Sequence, residues 1–223
     1  MIHDGLIHDG KREHMTDTGD AARLSGPDTK AWFLAFADRI SRGADDLTDL
    51  DRRAGDGDFG WNIDTSLGRA RSALDGIDAA HPAEVFKTVS DTFLASGGTS
   101  GPLFGLWFGR VAHGPEAPWT VADLASVFDT ATAAVQRLGG AQVGQKTMVD
   151  AMVPAVQALA GSATDGWREA LGEAAEAAHA GAESTGGMVA RKGRASYLGE
   201  RAADVVDPGA LSIAWFFASA ADV

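Results

Sequence analysis

The chain has 223 residues, of which 45% are apolar and 22% are charged, a balance that suits one sizeable globular domain and argues against wholesale disorder. Its net charge of −12 would repel a phosphate backbone, so nucleic acid is not an expected partner. The absence of cysteine excludes disulfides, thiolate metal ligands and cysteine nucleophiles, and it fits the reducing cytoplasm in which we expect the protein to work.

The first 27 residues differ from the rest of the chain. They are polar, they repeat the tetrapeptide Ile-His-Asp-Gly at positions 2–5 and 7–10, and they lack the apolar core of a signal peptide. We expect a disordered leader over residues 1–27, followed by a single helical nucleotide-binding domain over residues 28–223. No apolar run approaches the roughly 20 residues of a membrane helix, so we expect no membrane association.

Helical periodicity dominates from residue 28 onward, and clean period-two alternation is absent, which predicts an all-α protein of eight helices. Pro27 and Asp28 precede the first helix, whose apolar residues recur at spacings of three, four or seven. The others are expected over about 61–74, from Pro82, from about Ser100, from a Thr120 cap to Leu138, over about 146–159, from a Thr164 or Asp165 cap to about Ala182, and from Asp207 and Pro208 to the end of the chain.

Glycines concentrate in the loops between these helices, at residues 55–60, 97–101, 139–144 and 186–199. Glycine-rich loops allow backbone amides to approach a ligand closely. Several such loops at helix ends predict one composite binding site at one end of a helical bundle.

The first of these loops carries three aspartates, Asp51, Asp56 and Asp58. Asp51 continues the apolar stripe of the first helix, four residues after Leu47, and lies where the helix dipole disfavours a carboxylate. A divalent cation would offset this concentration of negative charge, and Mg²⁺ prefers oxygen ligands of this kind. The sequence therefore indicates a magnesium site, with a solvated acidic turn as the alternative.

Two further loops have features of ligand sites. The stretch 97–103 places free backbone amides and two hydroxyls at a helix start, which is typical of an anion site, although an ordinary capped helix would read the same way. The stretch 144–148 precedes another helix, and residues 191–199 place three cations in a strongly acidic chain, where a solvated surface is the alternative.

Five motifs occur in one order over roughly residues 30–220: Asp51 followed by GDGDFGWN, then GGTSGPLFG, GQKTM, KGRASYLGER and DPGA. In this combination the chain resembles the nucleotide-binding (L) subunit of dihydroxyacetone kinases. The resemblance implies a barrel of eight antiparallel helices with ADP or ATP at one end. It also implies two Mg²⁺ ions on Asp51, Asp56 and Asp58.

The same resemblance implies a nucleotide-binding set, carried over by position. Its members are Phe59, Gly60, Trp61, Asn62, Thr99, Ser100, Leu103, Gly139, Thr147, Met148, Arg194, Val206, Asp207 and Pro208. Two positions depart from the family pattern. Phe59 stands where histidine is common, which removes a polar donor beside the phosphates, and Gln145 stands where aspartate is common.

The function implied is that of a kinase subunit that presents nucleotide to a short-chain ketose bound on a separate subunit. The phosphoryl donor is open between free ATP and a phosphotransferase-system protein that recharges bound ADP, and a homodimer is also left open. A non-catalytic adenine-nucleotide sensor is the alternative from another functional class, and a helical scaffold with an acidic surface is a third.

Overall fold

A computed structural model describes residues 22–96 and 100–223. Most of the expected leader, residues 1–21, lies outside this part of the chain. Its last residues belong to the fold, because Leu24 is fully buried and exchanges backbone hydrogen bonds with Trp119 over 2.8 Å in each direction. The described helical fold thus includes residues before 28, since Ser25 caps α1, which begins at Gly26.

Eight α-helices account for most of the described residues, as the sequence predicted, and no strand longer than a single bridge occurs among them. They are α1 (Gly26–Ala54), α2 (Phe59–Asp75), α3 (Pro82–Leu94), α4 (Ser100–Val111), α5 (Val121–Gly139), α6 (Val149–Gly161), α7 (Trp167–Ser184) and α8 (Pro208–Ala218). Short 3-10 helices, which the sequence did not predict, lie at Thr185–Gly187, Arg194–Tyr197, Gly199–Ala202 and Ser219–Asp222.

Local sequence signals set several of these helix starts. Thr120 and Asp123 form the predicted capping box of α5, and the Asp207 carboxylate accepts from the Ala210 amide at the start of α8. The predicted cap of α7 was wrong. Its N-cap is Gly166, which has no side chain to offer, and the Thr164 hydroxyl instead accepts from the Gly166 amide and donates to a glutamate in the first turn.

The helices form a closed ring. Each helix contacts its neighbour in the chain, and α8 returns to contact α1. Short connections from α1 to α7, and a longer one from α7 to α8, join antiparallel neighbours, so the N-terminal ends of α2, α4, α6 and α8 share one end of the ring with the C-terminal ends of the other four. The glycine-rich loops at residues 55–60, 139–144 and 186–199 lie at this end of the ring.

Aromatic side chains fill the centre of the ring. Trp32 is fully buried, stacks on Phe216 with ring centroids 4.4 Å apart, and donates its indole N–H to the Phe216 carbonyl oxygen over 2.6 Å. Edge-to-face contacts with Phe86 and Phe128 extend this cluster across four helices. The large aromatic core gives the loops at the ring's end a rigid support.

None of the described helices combines the length and the apolar character that crossing a membrane requires.

Candidate nucleotide and metal site

A cavity of about 310 Å³ opens at the end of the ring where the even-numbered helices begin. This volume lies at the lower end of the range typical of small-molecule sites. The residues that line it are Asp51, Ala54, Asp56, Asp58, Phe59, Leu103, Phe104, Val135, Gly139, Ala141, Lys146, Thr147, Met148, Val149, Lys192, Gly193, Arg194, Ala195, Asp207, Pro208 and Gly209. One side of the cavity is acidic, and most of the rest is apolar.

The acidic side is built around Asp51, in the last turn of α1. One carboxylate oxygen of Asp51 accepts backbone N–H groups from Gly57, Asp58 and Phe59, at 2.9, 3.0 and 3.2 Å. These amides are the free donors that precede and begin α2, so Asp51 binds the loop back onto α1. Gly57 adopts φ +78°, a left-handed conformation that glycine tolerates and that turns the amides inward.

This arrangement corrects part of the sequence argument. Asp51 does not depend on a cation to offset an unfavourable position, because three amides already solvate one of its oxygens. The other oxygen lies against Gly55, where a Cβ atom would come within 2.3 Å of it. Gly55 therefore keeps space beside the oxygen that remains for another ligand.

The three aspartates can reach a common cation. Asp51, Asp56 and Asp58 each offer a carboxylate oxygen, and these oxygens lie within 4.8 Å of one another. Arg194 reaches the same group, since its guanidinium pairs with Asp56 and lies 3.7 Å from Asp58. Three carboxylates in such a cluster form a donor set that fits a hard divalent ion such as Mg²⁺.

The apolar side of the cavity lies between α4, α5 and the start of α6. Leu103 and Phe104 come from the first turns of α4, Val135 from the last turns of α5, and Met148 and Val149 from the start of α6. A flat apolar group buried here would be shielded from water, so this wall suits the apolar part of a ligand.

Residues 186–204, which we call the cover segment, form another wall through Lys192, Gly193, Arg194 and Ala195. Beneath this segment lies the buried Lys146, whose ammonium group donates to the carbonyl oxygens of Thr185, Ala203 and Val205. Burial lowers the pKa of Lys146, against the opposing effect of nearby carboxylates.

Asp207 is the second perturbed group that lines the cavity. Burial raises its pKa to about 7, and the hydrogen bond that it accepts from the Ala210 amide only partly opposes this shift. The backbone N–H of Asp207 donates to the Thr185 hydroxyl over 2.8 Å, which joins the start of α8 to the end of α7.

Comparison with known sequences assigns this architecture to a family. The profile of the DAK2 domain matches residues 53–222. The chain belongs to the DAK2 domain family. It is 38% identical over 187 residues to the PEP-dependent dihydroxyacetone kinase, ADP-binding subunit DhaL, of Escherichia coli, covering 82% of this chain and 89% of that subunit.

Other DAK2-family relatives carry related names. The PTS-dependent dihydroxyacetone kinase, ADP-binding subunit DhaL, of Lactococcus lactis is 34% identical, over 87% of this chain and 96% of that subunit. The L-erythrulose 1-kinase of Mycolicibacterium smegmatis is 39% identical, over 91% of this chain but only 38% of the longer kinase.

Two crystal structures of the dihydroxyacetone kinase of C. freundii share the fold. The native form superposes with a TM-score of 0.65 at 22% identity, and the complex with AMP-PNP and Mg²⁺ with a TM-score of 0.59 at 21% identity. Each comparison covers the whole of this chain and 38% or 37% of the crystallised kinase. The likeness shows that the helical ring is the DAK2-family fold.

Most of the residues predicted from sequence meet at the cavity. Its lining includes the three aspartates and, from the nucleotide set, Phe59, Leu103, Gly139, Thr147, Met148, Arg194, Asp207 and Pro208. Thr99 lies outside the described residues, and of Ser100 only its backbone position at the start of α4 is described. Phe59, one of the two departures from the expected pattern, is partly buried and packs against the core.

Four predicted residues do not line the cavity. Gly60 lies where α2 crosses α1, and a Cβ atom there would come within 2.0 Å of the Ala44 carbonyl oxygen, so its observed role is close helix packing. Trp61 is 54% exposed and donates its indole N–H to Asp45. Asn62 is exposed, and Val206 lies just before the residues that reach the cavity.

Sequence reasoning missed other lining residues. Lys146 and Lys192 belong to motifs that had been singled out, GQKTM and KGRASYLGER, but neither was assigned to the site. Phe104 likewise belongs to a motif that had been singled out, GGTSGPLFG, without being assigned to the site. Ala54, Val135, Ala141 and Val149 had no signal of their own, since small or apolar residues near helix ends read as ordinary core positions.

Proposed function

We propose that this chain is the nucleotide-binding subunit of a dihydroxyacetone-type kinase. It binds magnesium with ADP or ATP and supplies the phosphoryl group to a short-chain ketose held by a separate subunit. The observation that carries the proposal is the composition of the cavity, which places three clustered carboxylates opposite an apolar wall within one pocket. A nucleotide needs both surfaces, one for its metal-bound phosphates and one for its base.

The metal assignment rests on Asp51, Asp56 and Asp58, and we extend it to two Mg²⁺ ions. Asp51 keeps one oxygen fixed by three amides and offers the other, while Asp56 and Asp58 project from the loop that those amides shape. When bound, magnesium would neutralise charge on the β- and γ-phosphates during phosphoryl transfer.

The protein's own contribution is positioning and charge. The N-terminal ends of α4, α6 and α8 direct their helix dipoles toward the pocket, which favours phosphate oxygens there. Arg194 lies beside Asp56 and Asp58, within reach of any phosphate that their metal holds. Leu103 and Met148 exclude water from the base, and we assign Phe59 to the phosphate side of the same wall.

Exposed apolar side chains that neighbour the lining residues in the sequence favour the docking of a partner subunit. Trp61, Leu138, Val143, Val189 and Tyr197 are all more than two-fifths exposed, and each lies within three residues of a lining residue. We call these five the apolar rim. Exposed apolar groups at the mouth of a cavity are typical of a protein interface. We infer that the ketose-binding subunit docks on the apolar rim, which would place the ketose at the open end of the phosphates.

The names of the relatives suggest candidates for the phosphoryl donor and for the ketose. Relatives of similar length are named as PEP- or PTS-dependent, which favours a phosphotransferase-system protein recharging bound ADP. One relative is named an L-erythrulose kinase, so erythrulose joins dihydroxyacetone as a candidate acceptor. We place the protein in the cytoplasm, and a homodimer is compatible with this assignment.

Calorimetric titration of the purified chain with ADP and with ATP, each with Mg²⁺ and then with a chelator, tests the site. We expect magnesium-dependent binding that Asp56→Asn abolishes, with a preference for ADP if the nucleotide remains bound between turnovers. Absence of binding to folded, nucleotide-free protein would overturn the proposal.

Addition of a purified ketose-binding subunit with dihydroxyacetone tests the kinase assignment. Turnover only when both proteins are present would support the division of labour, whereas nucleotide binding without turnover in any combination would favour the nucleotide sensor. Phosphorylation of dihydroxyacetone by the chain alone would contradict the need for a partner.

The docking inference has its own test. Tyr197→Ala, which removes the most exposed aromatic group of the apolar rim, should weaken binding to the ketose-binding subunit by about tenfold or more while nucleotide affinity changes little. Glu116→Ala, in the α4–α5 loop at the opposite end of the ring, is the control. Equal partner affinity in the two variants would argue against docking on this surface.

A further inference from the structure

Lys146 is the one buried cation among the described residues, and its geometry is unusual. Its backbone has φ +60°, a left-handed conformation that non-glycine residues rarely adopt and that persists only where surrounding contacts enforce it. The side chain is 1% exposed, and its ammonium group is bound by backbone carbonyl oxygens. A buried ammonium costs desolvation free energy, so the contacts that hold it in place are strong ones.

The acceptors of Lys146 lie at both ends of the cover segment. Thr185, whose carbonyl oxygen is 2.6 Å from the ammonium nitrogen, immediately precedes the segment. Ala203, at 3.2 Å, and Val205 lie at its other end. Lys146 thus closes the base of this 19-residue segment, together with the hydrogen bond from the Asp207 amide to the Thr185 hydroxyl.

The other attachments of the cover segment include the ion pairs of Arg194 with Asp56 and Asp58, which are partly exposed and therefore contribute little. Its backbone hydrogen bonds are mostly local, apart from the Arg191 amide, which donates to the carbonyl oxygen of Gln145, the residue beside Lys146. Ala202 and Val205 pack with Ala54 in a small cluster that is separate from the main core. A segment with a small apolar contact opens locally at a low free-energy cost unless something else restrains it.

We infer that Lys146 is a positioning residue that holds the cover segment closed against the cavity. Thr147 and Met148, which follow Lys146 in the chain, also line the cavity. Lys146 therefore connects this part of the lining to the cover segment, which carries Arg194. On the proposed function, opening of this segment would expose the phosphates and release the nucleotide. Loss of the lysine would then act chiefly on the dissociation rate.

The cover segment can be monitored directly because its four trypsin sites, Arg191, Lys192, Arg194 and Arg201, include three close together at 191–194. In Lys146→Met, which keeps the aliphatic stem but removes every donor, we expect cleavage at these sites to be about tenfold faster or more. Lys30→Met is the matched control, because Lys30 donates to a single carbonyl oxygen, that of Ile77, outside the cover segment. Its cleavage at 191–194 should equal that of the original chain.

Stopped-flow release of a fluorescent ADP analogue, with Mg²⁺, measures the consequence. We expect a dissociation rate about tenfold higher in Lys146→Met, a smaller change in the association rate, and a far-ultraviolet circular dichroism spectrum like that of the original chain. A folded Lys146→Met protein with unchanged cleavage at 191–194 would overturn the inference. Faster cleavage with unchanged release would overturn its functional part.

If Lys146→Met does not fold, amine labelling of the original chain with an acetylating ester, read by mass spectrometry, takes its place. Lys146 should react more slowly than Lys192, and Mg²⁺–ADP should slow it further. Labelling of Lys146 as fast as Lys192 would contradict the closed segment. Should the original chain bind no nucleotide, the proposed function fails, whereas the cleavage and labelling comparisons made without nucleotide still decide the role of Lys146.

Discussion

Asp51 and Asp56 are expected to contribute differently to stability although both are proposed metal ligands. Asp51 accepts three backbone amides in the absence of metal, whereas Asp56 is exposed and its described partner is Arg194. Asp51→Ala should therefore unfold the loop before α2, while Asp56→Ala removes only a carboxylate from a repulsive cluster. Both variants should lose magnesium-dependent nucleotide binding.

The loss in free energy of unfolding expected for Asp51→Ala follows from the three amide hydrogen bonds. A hydrogen bond to a charged group contributes about 1.5–3 kcal/mol, but water can reach this half-buried site and replace part of it, so we expect Asp51→Ala to lose about 2–4 kcal/mol in total. In a domain of this size that loss corresponds to a melting temperature lower by roughly 4–16 °C. Asp51→Asn, which keeps one acceptor oxygen for the amides, should lose less.

Thermal unfolding followed by circular dichroism, in a chelator and without nucleotide, isolates this effect from ligand stabilisation. Asp56→Ala, the matched control, should melt at the temperature of the original chain or slightly above it, because exposed ion pairs contribute little. Equal melting temperatures for Asp51→Ala and Asp56→Ala would refute the structural role of the three amides.

Two further predictions concern packing and pH. Gly60→Ala should lower the melting temperature markedly, because its Cβ atom would meet the Ala44 carbonyl oxygen. Gly68→Ala, the control in the same helix, should be neutral or slightly stabilising, because nothing lies within 4 Å of its Cβ position. A stable Gly60→Ala protein would contradict the close crossing of α1 and α2. Because burial raises the pKa of Asp207 from 3.8 to about 7, the folded state binds more protons than the unfolded state between these values, and stability without metal or nucleotide should fall as pH rises from about 4 to 7. Denaturant titrations across that range should show a weaker fall in Asp207→Asn, whose side chain can still cap α8, and an unchanged slope would argue against the shifted pKa.

The helices and the acidic loop could be predicted from the sequence because their causes are local. Apolar periodicity places a helix wherever one face must be buried, and the capping pair of Thr120 and Asp123 acts over three residues, so α5 began where predicted. The order of five motifs identified the family, which the DAK2 match over residues 53–222 confirmed. The α7 cap failed for an equally local reason, because Thr164, Asp165 and Gly166 are all acceptable caps and only the path of the chain selects among them.

Tertiary structure decided which groups, distant in the sequence, bind the same charged side chain or pack against each other. Gly60 and Trp61 belong to the same motif as Phe59. The crossing of α1 and α2 packs Gly60 against α1 and leaves Trp61 exposed to solvent. Asp51 appeared in the sequence as a carboxylate that requires a cation, and only the turn at Gly57 shows that backbone amides already solvate it. The buried position of Lys146 was likewise beyond sequence reasoning, because its acceptors are carbonyl oxygens, which every residue has and whose placement depends on the fold alone.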